Sequence, residues 1–406
     1  MKIYDKTLSE ILQDIPLPFK IMMVAGLLFI AATIIYVPYV IATFGDKEAF
    51  VPPLVIENMT GNTVGVLDPA VAFDGRRHFM AYTAVNPPLG NAQDLRTEIY
   101  FAYDKQPTNC TTWRQISTPF PTRGETLIGP DGKTPVASGI WRIETPGLVY
   151  DPDDKGKEWK VFAYKYFWAG RTDLARLYGA IVYRYTADPL KADGWSTEQW
   201  VLSAGAQSPP FPYSQIVETK LSDLHPSLAD VYFYARPSVV YIDKTLVMTL
   251  SAFVMNKQTP DRIIMIASKD HGRTWHYLGT PLRDAMLPAI KTDAGDYNVL
   301  QGASLLLNNG VPYLAAVFGN DRIGAAGSFV FGFDNISKAS LAADKTGNPL
   351  LLNHIRLSSA LPTNVGGGYA AFDDACAQSG VITSEMSGIR RSYSIFRTEK
   401  PLLPLP

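Results

Sequence analysis

After residue 60 the chain repeats one pattern five times: an apolar strand, a polar turn, then a second apolar or aromatic strand. The units open with "LDPAVAFDGRRHFMAYTAV" at Leu67, "ETPGLVYDPDDKGKEWKVFAYKYF" at Glu144, "ARPSVVYIDKTLVMTLSAF" at Ala235, "QGASLLLNNGVPYLAAVFG" at Gln301 and "GYAAFDDACAQSGVITSEM" at Gly368. Two further strands can follow most of them, as in "EIYFAYD" with "TTWRQI", "GAIVYRYT" with "TEQWVL", and "RIIMIASKD" with "WHYLG". Four strands per unit in five units predict an all-β fold, a five-bladed β-propeller over 67–398. A two-sheet sandwich leaves the five matching unit starts without a reason. "LVIEN" near 54 and "SYSIFRT" near 392 are left over, and one of them is expected to complete the last blade, because ring closure removes sheet edges.

Composition agrees with a turn-rich β protein. Aromatic residues make up 12% and charged residues 18%, with 31 Gly and 30 Pro. A net charge of −1 gives no phosphate-neutralising surface, so no nucleic-acid partner is expected. The five histidines and two cysteines show no metal-binding spacing, so neither a metal nor another cofactor is expected. An ion such as Ca²⁺ in a central channel is not derivable from the sequence.

The N-terminus has a different character. "IMMVAGLLFIAATIIYVPYVIATFG", residues 21–45, carries no charged residue. As a helix it reaches about 37 Å, enough for ~30 Å of hydrocarbon. Tyr36, Tyr39 and Phe44 cluster at one end as interfacial aromatics do. The length favours an uncleaved transmembrane anchor over a signal peptide, whose apolar core is about 7–15 residues. Lys20 before the span and Asp46, Lys47 and Glu48 after it favour a cytoplasmic N-terminus and an extracytoplasmic, periplasmic propeller. Residues 1–20 read as a cytoplasmic segment in which Leu8, Ile11, Leu12 and Ile15 form an amphipathic helical stripe, facing either lipid or a partner subunit. Residues 46–66 read as a linker that includes the spare strand, and 399–406 as a proline-rich tail.

"SKDHGRTWHYLG", 268–279, places Ser268, Asp270, Gly272, Thr274 and Trp275 at the spacing S-x-D-x-G-x-T-W. That spacing resembles the Asp-box hairpin of sialidases and related propellers. Its tasks are those of a turn: a carboxylate accepts backbone N–H groups, a glycine permits positive φ, and an indole packs beneath. His271 and His276 in this hairpin are expected to be solvated or packed.

A five-bladed ring whose first inner strand begins with Asp-Pro resembles the arabinanase/xylosidase glycosidases and their invertase relatives. The resemblance implies three carboxylates, one at the start of each of the first three inner strands: a base, a pKa-tuning group and an acid. Asp68 in "LDPAV" matches the first and Glu144 in "ETPGL" falls near the second. "ARPSV" places Ala235 where the acid is expected. Asp230 and Asp373 are substitutes that do not fit the motif. In a rearranged pocket Glu144 faces Asp68 as the acid; in a purely structural role both carboxylates accept backbone N–H groups. "WRIETP" and "YARPSV" faintly resemble the arginine-bearing element of sialidases, which makes Arg142 and Arg236 candidate contacts for a ligand carboxylate. The aromatics of "YKYFWAG" (Tyr164, Tyr166, Phe167, Trp168) offer faces for a sugar ring, a partner or the core.

With no acid at Ala235, the expectation is a membrane-anchored, non-catalytic propeller. It would be an accessory or scaffold subunit of a larger membrane complex, of respiratory or photosynthetic type by analogy, with the bilayer and other subunits as partners. The alternatives are an anchored glycoside hydrolase acting on periplasmic or extracellular polysaccharide, and a sugar-binding module. Cys110 and Cys376 fall in the first and last units, which are neighbours in a closed ring, so either a disulfide between them staples the seam in an oxidising compartment, or Cys376 is a buried inner-strand thiol and Cys110 an unrelated loop residue.

Overall fold

Strands that are covered on both faces dominate the chain. "WKVFAYKYFW" (Trp159–Trp168) and "RIIMIAS" (Arg262–Ser268) are buried almost throughout, and such strands read as near-continuous apolar runs rather than alternating ones. The computed structural model describes residues 53–59, 63–88, 95–106, 110–128, 133–170, 179–203, 221–255, 257–290, 297–320, 327–355, 371–372, 381–387, 392–397 and 402–403. These fall in one unit, Val51–Leu357 with Thr363–Pro406. The expected helices of 1–45, together with Asp373 and Cys376, lie outside the described residues. Among those that are described, no helix is long and apolar enough to cross a membrane.

The first sheet holds β1 (Val55–Glu57), β2 (Gly65–Phe73), β3 (His78–Asn86), β4 (Arg96–Asp104) and β5 (Thr112–Phe120) in the order β1-β5-β4-β3-β2. The second holds β6 (Arg123–Ile128), β7 (Pro135–Tyr150), β8 (Trp159–Trp168), β9 (Gly179–Thr186) and β10 (Gln199–Ser203), in reverse chain order. The third is β11 (Val231–Ile242), β12 (Thr245–Val254), β13 (Arg262–Ser268) and β14 (His276–Arg283). In the fourth, β15 (Val299–Asn308), β16 (Val311–Gly319) and β17 (Ser328–Asn335) are followed by a split outer strand, β18 (Ser340–Leu341) and β19 (Leu351–Ile355), both paired with β17. A fifth sheet has three described strands, β20 (Ala371–Phe372), β21 (Val381–Ser387) and β22 (Ser392–Arg397).

The fold is an all-β propeller with four complete blades, where five were expected; the fifth sheet is one strand short among the described residues. Neighbouring sheets pack face to face. Phe79 and Phe101 of the first meet Trp159 and Val161 of the second, Phe162 of the second meets Tyr234 and Ile266 of the third, and Met265 of the third meets Phe318 and Phe329 of the fourth. Burying each such side chain contributes about 1.5–3 kcal/mol.

The chain ends meet at a seam. "LVIEN" runs parallel to β5 through β1, and "SYSIFRT" forms β22. Leu54 N donates to Ile395 O at 2.8 Å, and Ile395 is buried with Met80, Tyr82 and Trp113 of the first sheet. Thus neither spare strand closes the ring alone: one flanks the first blade, the other belongs to the last sheet. Leu402 is fully buried against Leu306, Val330 and Ile355.

Candidate active site

Three inner strands break their ladders at the same place. Pairing skips from Leu67 to Ala70 in β2, from Glu144 to Gly147 in β7 and from Ala235 to Ser238 in β11. Each skip is a bulge formed by one residue with positive φ and the proline after it: Asp68 (52°) with Pro69, Thr145 (53°) with Pro146, and Arg236 (63°) with Pro237. Such conformations are uncommon for residues with a Cβ and mark positions that the surroundings enforce. The close approach of the strands helps to enforce them: a Cβ on Gly147 would stand 2.7 Å from Pro237 O.

These bulges correct the register expected from the motifs. Thr145 and Arg236, not Glu144 and Ala235, are the counterparts of Asp68. Glu144 and Ala235 are level with Leu67. The third position therefore carries a guanidinium, and Ala235 is a buried strand residue that was never the site of an acid. Asp230, one of the two substitutes, is committed elsewhere, because Arg262 grips both its oxygens at 2.6 and 3.1 Å.

Asp68, Thr145 and Arg236 line one end of a channel cavity of about 380 Å³ whose remaining walls are mainly apolar, running to Phe73 and Tyr241. Asp68 is 5% exposed. Thr83 Oγ1, across the sheet on β3, donates to Asp68 Oδ2 at 3.3 Å and accepts from Thr145 N at 2.9 Å. Burial pushes the Asp68 carboxyl up to about 7; Arg236 opposes this, Glu144 adds to it and the Thr83 hydroxyl opposes it. Glu144 is half-buried and accepts from Tyr166 Oη at 3.2 Å. Its carboxyl is also raised by burial, against the pull of Arg236, the Tyr166 hydrogen bond and Arg142. Burial and then the Glu144 charge keep Tyr166 protonated well into the alkaline range.

The arginines are held in place. Arg236 Nη1 donates to Gln301 O of the fourth blade, Arg142 Nη2 donates to Leu95 O, and the Arg142 Cζ lies 4.5 Å from the centre of the Trp168 ring. Trp168 is half-buried, whereas Tyr164, Tyr166 and Phe167 are core residues. Two carboxyl groups, both raised by burial, thus lie within electrostatic reach of each other and of Arg236, with Arg142 acting on Glu144; Asp68 and Arg236 line the cavity itself. Such a pair can donate a proton on one side of a scissile bond and accept one on the other. The motifs did not pick out Thr83, which pairs with Leu67, or a carboxylate contact for Tyr166, which pairs with Arg142, because no local spacing marks either. A Ca²⁺ ion does not fit this end of the channel. Calcium takes about six to eight oxygens, whereas the bulges offer a carboxyl, a threonine and the Arg236 guanidinium, whose charge already acts on Asp68.

The Asp-box residues lie in the β13–β14 hairpin. Asp270 Oδ1 accepts from Arg273 N at 3.1 Å and Thr274 N at 2.9 Å, and Oδ2 accepts from Thr274 Oγ1 at 2.6 Å. These bonds hold the carboxyl down at about 2. Ser268 Oγ accepts from Gly272 N at 2.7 Å, and Trp275 Nε1 donates to Gly272 O. His271 in this turn reaches Asp151 Oδ2 of the second blade at 3.0 Å. Asp151, Asp154 and His271 converge as metal ligands can, but Lys160 Nζ lies 2.7 and 3.0 Å from the two carboxylates and supplies the positive charge. Cys110 is disulfide-bonded, so it offers no thiolate to His78 and Asp104 nearby.

No protein-family model and no curated protein matches the sequence. Solved structures with related folds include an α-L-arabinofuranosidase from Podospora anserina (10% identity, 86% of this chain and 96% of that one, TM-score 0.45). A family 117 glycoside hydrolase from Zobellia galactanivorans matches at 12% identity over 87% of this chain and 90% of that one, TM-score 0.44. A Hadza microbial sialidase matches at 11% identity over 82% of this chain, which spans 66% of the sialidase, TM-score 0.44. At these levels the likeness concerns the propeller type. The expectation of a non-catalytic scaffold subunit, which rested on a missing acid at Ala235, is corrected here: the register makes Arg236 and not Ala235 the counterpart of Asp68, so Ala235 said nothing about catalysis.

Proposed function

We propose that the chain is a glycoside hydrolase in which Asp68 is the general acid and Glu144 the general base. In this reading Asp68 protonates the glycosidic oxygen while Glu144 takes a proton from the attacking water. Arg236 and Arg142 favour the ionised Glu144 and offer donors to an acidic or hydroxyl-rich substrate. The observation that carries the reading is the pairing itself: a buried Asp68 pushed up to about 7, with the Glu144 charge among the causes. The three-stranded fifth sheet is, in the same proposal, the fifth blade. The uncharged run 21–45 serves as a membrane anchor that holds the enzyme against periplasmic or extracellular polysaccharide.

A panel of aryl-glycosides tests the reading. Turnover is expected with at least one sugar, and Asp68→Asn and Glu144→Gln should each lower kcat by about 10²–10⁴-fold. Absence of turnover across pentosides, hexosides and acidic sugars would overturn it, and sugar binding without turnover would leave a binding module. Alkaline extraction of membranes from expressing cells checks the anchor, because an anchored chain stays with the membrane fraction.

A further inference from the structure

A second cavity, of about 580 Å³, lies between the first and second blades and shares no lining residue with the channel cavity. Its walls carry Trp141, Trp195 and Trp200, the cations Lys165 and Arg184, and Glu198. Trp195 spans the two blades: its Nε1 donates to Ser117 Oγ at 3.1 Å and its ring meets Phe101 edge-on. Trp195 and Trp200 are only half-buried, so indole surface remains open at the cleft.

The charges are unequally satisfied. Lys165 Nζ is buried, lies 2.5 Å from Glu198 and sits over the Trp141 and Trp200 rings at 4.8 and 5.1 Å. Glu125, which also lines the cleft, accepts from Trp141 Nε1 and stands 3.7 Å from Arg123. Both carboxylates of the cleft are thus committed. Arg184 is stacked on Phe120 at 5.2 Å, and its buried Nε–H has no hydrogen-bond partner among the described residues. The Nε itself is buried and Glu198 acts on the Arg184 charge, but the half-buried guanidinium lines the cleft, where its fixed fork of donors suits an entering anion. Indole surfaces beside it favour a flat apolar face such as that of a sugar ring.

We infer that this cleft binds an anionic sugar residue, a uronate or a sulfated sugar, with Arg184 on the acidic group and the tryptophans against the ring. The site is separate from Asp68 and Glu144 and needs no turnover. It would hold acidic polysaccharide between the first two blades.

Titration of the full-length protein, read by intrinsic tryptophan fluorescence, tests the inference. The probes are oligogalacturonate, a sulfated galactan oligosaccharide, a neutral arabino-oligosaccharide and poly-glutamate. At least one anionic sugar should bind about tenfold or more tightly than the neutral one, and whichever anionic sugar binds more tightly identifies the acidic group. Arg184→Met should abolish the preference. Arg184→Lys should retain part of it if the first variant is poorly folded by circular dichroism. Lys257→Ala, in the third blade and outside both cavities, should bind as the unaltered protein does. Equal affinity for neutral and anionic sugars, equal affinity for poly-glutamate, or loss of binding in Asp68→Asn but not in Arg184→Met would each overturn the inference.

Discussion

Thr83 holds Asp68 from across the sheet: its hydroxyl lies 3.3 Å from Asp68 Oδ2 while accepting the Thr145 amide of the next blade. One side chain thereby couples the charge of the first blade to the backbone bulge of the second. Thr83→Val removes a bond that favours the ionised carboxylate, so the Asp68 carboxyl should titrate above its present value of about 7. The alkaline limb of the pH–rate profile should move up, and the stranded Thr145 N–H should cost about 1–3 kcal/mol of stability. An unmoved limb in a stably folded variant counts against Asp68 as the acid.

Asp68 also sets a pH dependence of folding. Its folded value of about 7 lies above the ordinary 3.8. Below the lower value both states are protonated; between the two only the folded state keeps the proton; above the upper value the folded state bears an ionised, buried carboxylate. Stability should therefore fall as pH rises from about 4 to about 7, by up to roughly 4 kcal/mol. Asp68→Asn should flatten that slope and be more stable than the parent at pH 8. Urea unfolding at a series of pH values measures both.

Lys160 and Asp151 form a fully buried ion pair at 2.7 Å on the flank of the second blade. Lys160→Met leaves Asp151 and Asp154 without their cation and should cost about 3–5 kcal/mol. The Lys160 contacts, followed by His271, hold Asp151 below the usual carboxylate value against the effect of burial. The pair's contribution should persist above the ordinary carboxylate range and be lost as pH falls through the lowered value. Chemical denaturation of Lys160→Met at pH 7 and of the parent from pH 5 downward reads the two effects separately.

Cys110 is disulfide-bonded, and Cys376 is the only other cysteine in the sequence. Unreduced protein, denatured and treated with a thiol label, should show no free thiol, and reduction should expose two per chain. Cys110→Ser should lower stability by about 2–5 kcal/mol. A labelled thiol before reduction, or a dimer on a non-reducing gel, would exclude a bond within the chain.

The blades were legible in the sequence because their middle strands are apolar on both faces and their hairpins carry turn residues. The Asp box was legible for a related reason: Asp270 bonds to backbone only three and four residues ahead, so local spacing contains the whole structure. The candidate site was harder to read. Matching acid to acid paired Glu144 with Asp68, whereas the backbone pairs the residues that precede Pro69, Pro146 and Pro237. The prolines were the better guide, because a bulge is fixed by what the chain can bend around and not by the charge it carries. Thr83 and Tyr166 act across strands, and a cross-strand partner has no fixed spacing in sequence. β6, which extends the second blade inward beside β7, gave no strand signal strong enough to separate it from the preceding loop.

The three proline bulges hold an acid in one blade, a hydroxyl in the next and a guanidinium in the third, in nearly the same φ of 52°, 53° and 63°. The left-handed turn costs about 1–3 kcal/mol, least for Asp68 and most for the β-branched Thr145, yet the same bulge carries all three. The channel mouth behaves as a set of interchangeable sockets. An exchange of Asp68 with Arg236 reverses the electrostatic polarity across the ring while asking nothing new of the backbone, and a change of specificity in such a protein needs no change of shape.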